Sequence, residues 1–109
     1  MALRTSLVGG LVASTLFTGT AFAGPLIFTA WSATKLDLDQ CKARAASVLR
    51  DAGFRGNLQT LSFSVWAENG QYAANIRCVS EDQKFVFFVV AGPDDKTCNR
   101  YVSELQSRF

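Results

Sequence analysis

Residues 61–91, LSFSVWAENGQYAANIRCVSEDQKFVFFVVA, decide how this chain folds. Leu61, Phe63, Val65 and Ala67 alternate with Ser62, Ser64 and Trp66, the period of a strand with one buried face. Asn69-Gly70 is the favoured pair for a tight type I′ hairpin turn. A two-residue loop there sets Glu68 against Gln71, Val65 against Ala74, Phe63 against Ile76 and Leu61 against Cys78. Each apolar residue of the first strand then meets an apolar partner or a cysteine on one face. Ser80-Glu81-Asp82-Gln83 reads as a polar turn, and Phe85 to Ala91 as a third strand stopped by Gly92-Pro93. A two- or four-residue connection puts Phe85, Phe87 and Val89 on the face of Ile76 and Cys78. Val86, Phe88 and Val90 then fall on the other face.

A helix is expected on each side of this meander. Before it, Asp37 with Gln40 three residues on is a capping-box variant, and Leu36 can staple onto Cys41. Leu38, Cys41, Ala45, Val48, Leu49 and Ala52 recur at helical spacing, while Lys42, Arg44 and Arg50 fall off the stripe onto a solvated face. Gly53 ends the helix, and Phe54 can fold back on Leu49. After the meander, Asp94 caps a helix whose stripe is Cys98, Tyr101, Val102, Leu105 and Phe109. Arg55 to Gln59 reads as a flexible connection. The expected fold class is therefore α+β: a two-layer domain over 36–109, a three-stranded antiparallel meander with one helix before and one after it (αβββα). Both helices pack on the Phe63/Ile76/Phe87 face and start at the Asn69-Gly70 end.

The N-terminus reads as a secretion signal over 1–23. Arg4 supplies the positive region, Leu7 to Phe17 the apolar region, and Ala21-Phe22-Ala23 the small residues that precede cleavage after Ala23. The apolar run is short of the roughly 20 residues a spanning helix needs, so stable membrane insertion after cleavage is not expected. No twin arginine and no lipid-accepting cysteine accompany it. Residues 24–35, GPLIFTAWSATK, form an apolar lead segment without a readable period. A periplasmic or secreted location follows.

Composition narrows the chemistry. The chain has 109 residues, 11 Lys+Arg against 9 Asp+Glu, and no histidine. So even a balance offers no field for nucleic acid. Without histidine there is no His-dependent triad and no His metal site. The acids read as helix caps and turns, not as a converging pair or a calcium loop. No cofactor and no metal is expected. Three cysteines, Cys41, Cys78 and Cys98, allow three single pairings in an oxidising compartment, with one thiol left over. Cys98 is the best nucleophile candidate, in the first turn of a helix whose dipole favours a thiolate. Asp94 and Asp95 oppose that, no histidine serves as base, and the position lies on the core-facing stripe.

C-K-x-R-A at Cys41 to Ala45, Y-x-A-x-I-R-C at Tyr72 to Cys78 and F-F-V-V-A-G-P at Phe87 to Pro93 together resemble a group of small secreted bacterial proteins of unknown function. The resemblance spans most of the mature chain. It implies the same fold and export, and no activity. It also implies a disulfide between Cys41 and Cys78 with Cys98 as the spare thiol. The coarse layout pulls the other way, since helices starting at one end of the sheet bring Cys41 near Cys98.

The outer sheet face is expected to carry Trp66, Ala73, Arg77, Val86, Phe88 and Val90, too apolar for a solvated face. The lead segment, a second copy, or a partner protein or apolar ligand are the three ways to cover it. The chain thus reads as a non-enzymatic interaction module. The competing classes are a small apolar-ligand module with a pocket between sheet and helices, and a thiol enzyme resting on Cys98.

Overall fold

A computed structural model describes residues 25–109; the expected signal over 1–23 and its expected cleavage site lie outside the described residues. The chain runs β1 (Leu26–Ala33), α1 (Leu38–Asp51), β2 (Gly56–Thr60), β3 (Ser64–Asn69), β4 (Tyr72–Ser80), β5 (Lys84–Gly92) and α2 (Asp95–Arg108). The α+β class holds, but the sheet has five antiparallel strands in the order β1-β5-β4-β3-β2, not three. The meander is its centre, and the two added strands are its edges.

Both added strands come from segments without a period-2 signal. In β1, Phe28 and Ala30 turn toward the core while Ile27 and Trp31 turn away. Apolar residues on both faces erase the alternation that marks a strand. β2 is polar and interrupted. Asn57 sits in the left-handed region at φ 50, the register against β3 shifts between Gly56 and Gln59, and the Asn57 amide donates to Glu68. A bulge of this kind hides a strand from pattern reading.

Two register expectations are corrected. The hairpin closes on Gly70-Gln71, with Asn69 opposite Tyr72, so Val65 faces Ile76 and Ala67 faces Ala74. Gly70 has φ +60 at the first central position, where a type II′ turn needs glycine. That slip of two residues leaves every β3 side chain on its expected face. β3 begins only at Ser64, however; Phe63 keeps one main-chain bond to β4, its carbonyl accepting from the Cys78 N–H, and both Phe63 and Leu61 are exposed. The second correction inverts β5. Ser80 pairs with Lys84, which leaves a three-residue loop and sets Ile76 against Phe88 and Cys78 against Val86. An odd loop moves every side chain of the following strand to the opposite face from an even one.

The helices form as their caps dictate. Asp37 and Gln40 make the full capping box at α1. At its other end, Gly53 (φ 95) donates to the Arg50 carbonyl and Phe54 to the Leu49 carbonyl, a Schellman closure. Phe54 is thereby turned into the core, where it is fully buried beside Tyr101 at 4.9 Å between ring centroids. Asp94 caps α2 by accepting from the Thr97 N–H. Both helices cover the same sheet face, α1 over β3 and β4, α2 over β1 and β5. The core between the layers contains Leu49, Val65, Ile76, Val86, Phe88, Val90 and Leu105, all fully buried.

The helices do not start at the same end. β1 carries the chain along the sheet, from opposite Gly92 to opposite Phe85, before α1 begins. α1 therefore starts at the Cys78 end, where Lys42 Nζ reaches the carbonyls of Leu61 and Ser62. α2 follows Gly92 and starts at the hairpin end.

Candidate functional site

That placement settles the cysteines. Cys41, in the first turn of α1, projects onto Cys78 of β4, and the two form a disulfide with Cα atoms 6.0 Å apart. Both are buried, so the bridge ties α1 to the centre of the sheet from the core side. Cys98 lies at the far end, beside Gly92 and Tyr72, and is a free thiol with no exposed surface. Burial pushes its thiol up from the ordinary range. The main-chain hydrogen bond with Asp94 works against this, while the Asp94 and Asp95 carboxylates add to it. A raised, buried thiol is a poor nucleophile at neutral pH. Gly92 has a packing role here, because a Cβ at that position would collide with the Tyr72 ring.

The expected outer face divides in two. Trp66, Ala73 and Arg77 do lie on the open face, with Trp66 and Ala73 half-buried and Arg77 exposed. Val86, Phe88 and Val90 do not. They point inward and form the centre of the core, because the three-residue loop reverses β5. Their places on the open face are taken by Phe85, Phe87 and Val89. Of the three ways to cover this face, the lead segment does not supply one: as β1 it extends the sheet sideways. It brings Ile27 and Trp31 onto that face, 66% and 62% exposed.

The result is an aromatic cluster at one side of the open face. Trp31 pairs with Phe87 across β1 and β5. Its ring meets Phe85 edge-on at 6.4 Å, and Phe85 meets Phe87 edge-on at 5.1 Å. Edge-to-face contacts of this kind hold rings in defined positions. Trp31, Gln83, Phe85 and Phe87 wall a shallow cleft. The rest of the face is more polar. The Asn75 amide donates to Ser64 Oγ, and the Arg77 guanidinium lies over the Phe63 ring at 5.8 Å, where both border a second cleft with Val79 and Glu81. By contrast, the space between sheet and helices is filled by core side chains. The signal that could have found the cluster is the FVF run at 85–87 together with Trp31, had the loop been read as three residues.

Among the described residues, no group of three or more Cys, Asp or Glu side chains converges as metal ligands would. No helix among them is long and apolar enough to cross a membrane. Fold and site together define a small disulfide-bonded α+β domain, with two helices on one sheet face and an open aromatic cluster on the other. No family model, curated protein or solved structure matches the chain.

Proposed function

We propose that this protein is exported, with cleavage after Ala23, and works in the periplasm or outside the cell as a non-enzymatic interaction domain. It docks a partner on the open aromatic face. The observation that carries this reading is the Trp31/Phe85/Phe87 cluster: rings held edge-to-face, yet turned to solvent on a sheet whose other face is sealed. Contiguous apolar surface of this kind marks interaction sites. Arg77, opposite Phe87 on β4, supplies a polar border to the cluster, and Trp66 and Ala73 extend the same face beyond it.

The disulfide is compatible with an oxidising compartment, which supports export. It also agrees with the resemblance to small secreted bacterial proteins carrying cysteines at these two positions. Cys98 argues against thiol catalysis, being buried and shifted away from the thiolate. An apolar small ligand in the cleft beside Trp31 is the second reading, favoured by that cleft alone.

The test is parallel capture from the envelope fraction of the producing cell with three baits: wild type, Phe87→Lys, and Gln40→Lys on the opposite side of the domain. A partner retained by wild type and Gln40→Lys but lost with Phe87→Lys supports the reading. Identical capture by all three baits overturns it. Quenching of Trp31 fluorescence by a small apolar probe, with no protein captured, favours the ligand reading instead.

A further inference from the structure

The edge of β1 carries a second inference, independent of what the aromatic face takes up. β1 is the end strand of the sheet, eight residues long and without a bulge against β5. The Thr34 N–H donates to the Lys84 carbonyl, continuing the β1–β5 ladder. Because donors and acceptors alternate sides along an antiparallel strand, the even-numbered residues of β1 bond to β5. Ile27, Thr29, Trp31 and Ala33 then aim their N–H and C=O groups outward. The Gln106 side chain agrees with this, since it donates to the Trp31 carbonyl from the edge side. Among the described residues that is the only cap on this edge.

Proteins usually blunt such an edge with a charge, an internal proline or a bulge. β1 has none of the three: no charged residue occurs between Pro25 and Thr34. The opposite edge strand, β2, is short, bulged at Asn57 and flanked by Arg55. One edge is protected; on the other, among the described residues, only the Trp31 carbonyl is held, by Gln106, and a paired strand uses that carbonyl's second lone pair or displaces the amide.

We propose that β1 pairs antiparallel with β1 of a second copy of this chain, across a two-fold axis at Thr29, joining the two sheets into one. The sequence of the strand selects both the occupant and the register. With Thr29 opposite Thr29, Ile27 of each chain lies opposite Trp31 of the other. Thr–Thr and aromatic–β-branched are favoured cross-strand pairs. A shift by one hydrogen-bonding step sets Trp31 against Thr29 and Ile27 against Ala33: it loses the Thr–Thr pair and exchanges the larger Ile27 for Thr29 as the partner of each Trp31. An uncharged edge meets its own copy without repulsion, and Lys35 falls beyond the overlap. Leu26, Ile27 and Trp31 are 43%, 66% and 62% exposed in the single chain. Edge pairing covers the strand backbone and the flanks of Ile27 and Trp31 while their outer faces stay open, on the order of several hundred Å² over both copies, the size of a weak, reversible contact. The two aromatic clusters become neighbours on one continuous face.

The experiment uses protein purified after expression of the full chain. Sedimentation from low micromolar to millimolar concentration should show a reversible monomer–dimer equilibrium. Thr29→Pro removes an N–H that β5 does not use, so the monomer keeps its near-ultraviolet circular dichroism while dimer affinity falls roughly 10- to 100-fold. Cysteine cross-linking reads the register without depending on that variant. Thr29→Cys should oxidise to a covalent dimer. Ile27→Cys and Trp31→Cys should each stay uncrosslinked alone, with like positions ~14 Å apart, and should cross-link when mixed. A wild type that is monomeric throughout overturns the proposal. So does a dimer in which Thr29→Cys fails to cross-link, or Ile27→Cys cross-links with itself.

Discussion

Phe87 and Phe88 are neighbours in sequence with identical side chains, and the sheet separates their fates. Phe88 is fully buried under the helices, opposite Ile76 and in edge contact with Phe109 at 5.6 Å. Phe87 is 38% exposed on the open face, opposite Trp31. The same contrast runs along β5, with Val86 and Val90 inside and Phe85 and Val89 outside. Hydrophobicity cannot choose between two such rows when both are apolar. The length of the Glu81-Asp82-Gln83 loop chooses, because an odd loop reverses the strand.

The largest expected effect tests that contrast directly. Phe88→Ala should cost about 3–5 kcal/mol in urea unfolding, the range for a buried ring replaced by a cavity. Phe87→Ala should cost about 1 kcal/mol or less. Equal losses at the two positions would erase the distinction between the faces.

The disulfide sharpens the inner side of the comparison. It joins residues 37 apart in sequence, and the paired change Cys41→Ala with Cys78→Ala should lower stability by about 2–4 kcal/mol. The loss of α1 from the sheet should accompany it, seen as a lower denaturant midpoint and faster amide exchange in β3 and β4. Reduction of the wild type should reproduce the effect, and an unchanged midpoint would mean the bridge is dispensable.

Gly92→Ala is expected to cost about 1–3 kcal/mol, since the new methyl meets the Tyr72 ring and must displace it. Ala91→Gly, one residue along and facing outward, should cost less; the reverse order would contradict the packing at this end of the core. The smallest effect on stability concerns Cys98. Its native thiol should react with a maleimide only as fast as the domain opens, and the rate should rise sharply in denaturant. A fast reaction in native buffer would show that the inner face is open at the α2 end.

Much of this was legible in the residues. Asp37 with Gln40, Gly53 with Phe54, and Asp94 with Thr97 are local devices, so both helices could be placed from their ends. The hairpin was legible from Asn69-Gly70, although the turn uses Gly70-Gln71. The edge strands were not, because β1 is apolar on both faces and β2 is polar and bulged at Asn57. The candidate face was half legible: Trp66, Ala73 and Arg77 were placed, while the β5 residues were inverted along with the strand. Trp31 was visible only as part of an unassigned lead segment.

Local chemistry in the chain determined the α+β class, both helices, the three central strands, and the buried character of Cys98. Capping groups, a glycine at a left-handed position and side-chain period all act within a few residues of one another, so the chain alone specifies them. The tertiary structure decided which row of β5 is core, which end of the sheet receives α1, and therefore that Cys41 meets Cys78. Those outcomes depend on loop parity and on a strand that pairs with a partner some sixty residues away. No local preference of Leu26–Ala33 records that pairing; it exists only once β5 is there to accept it.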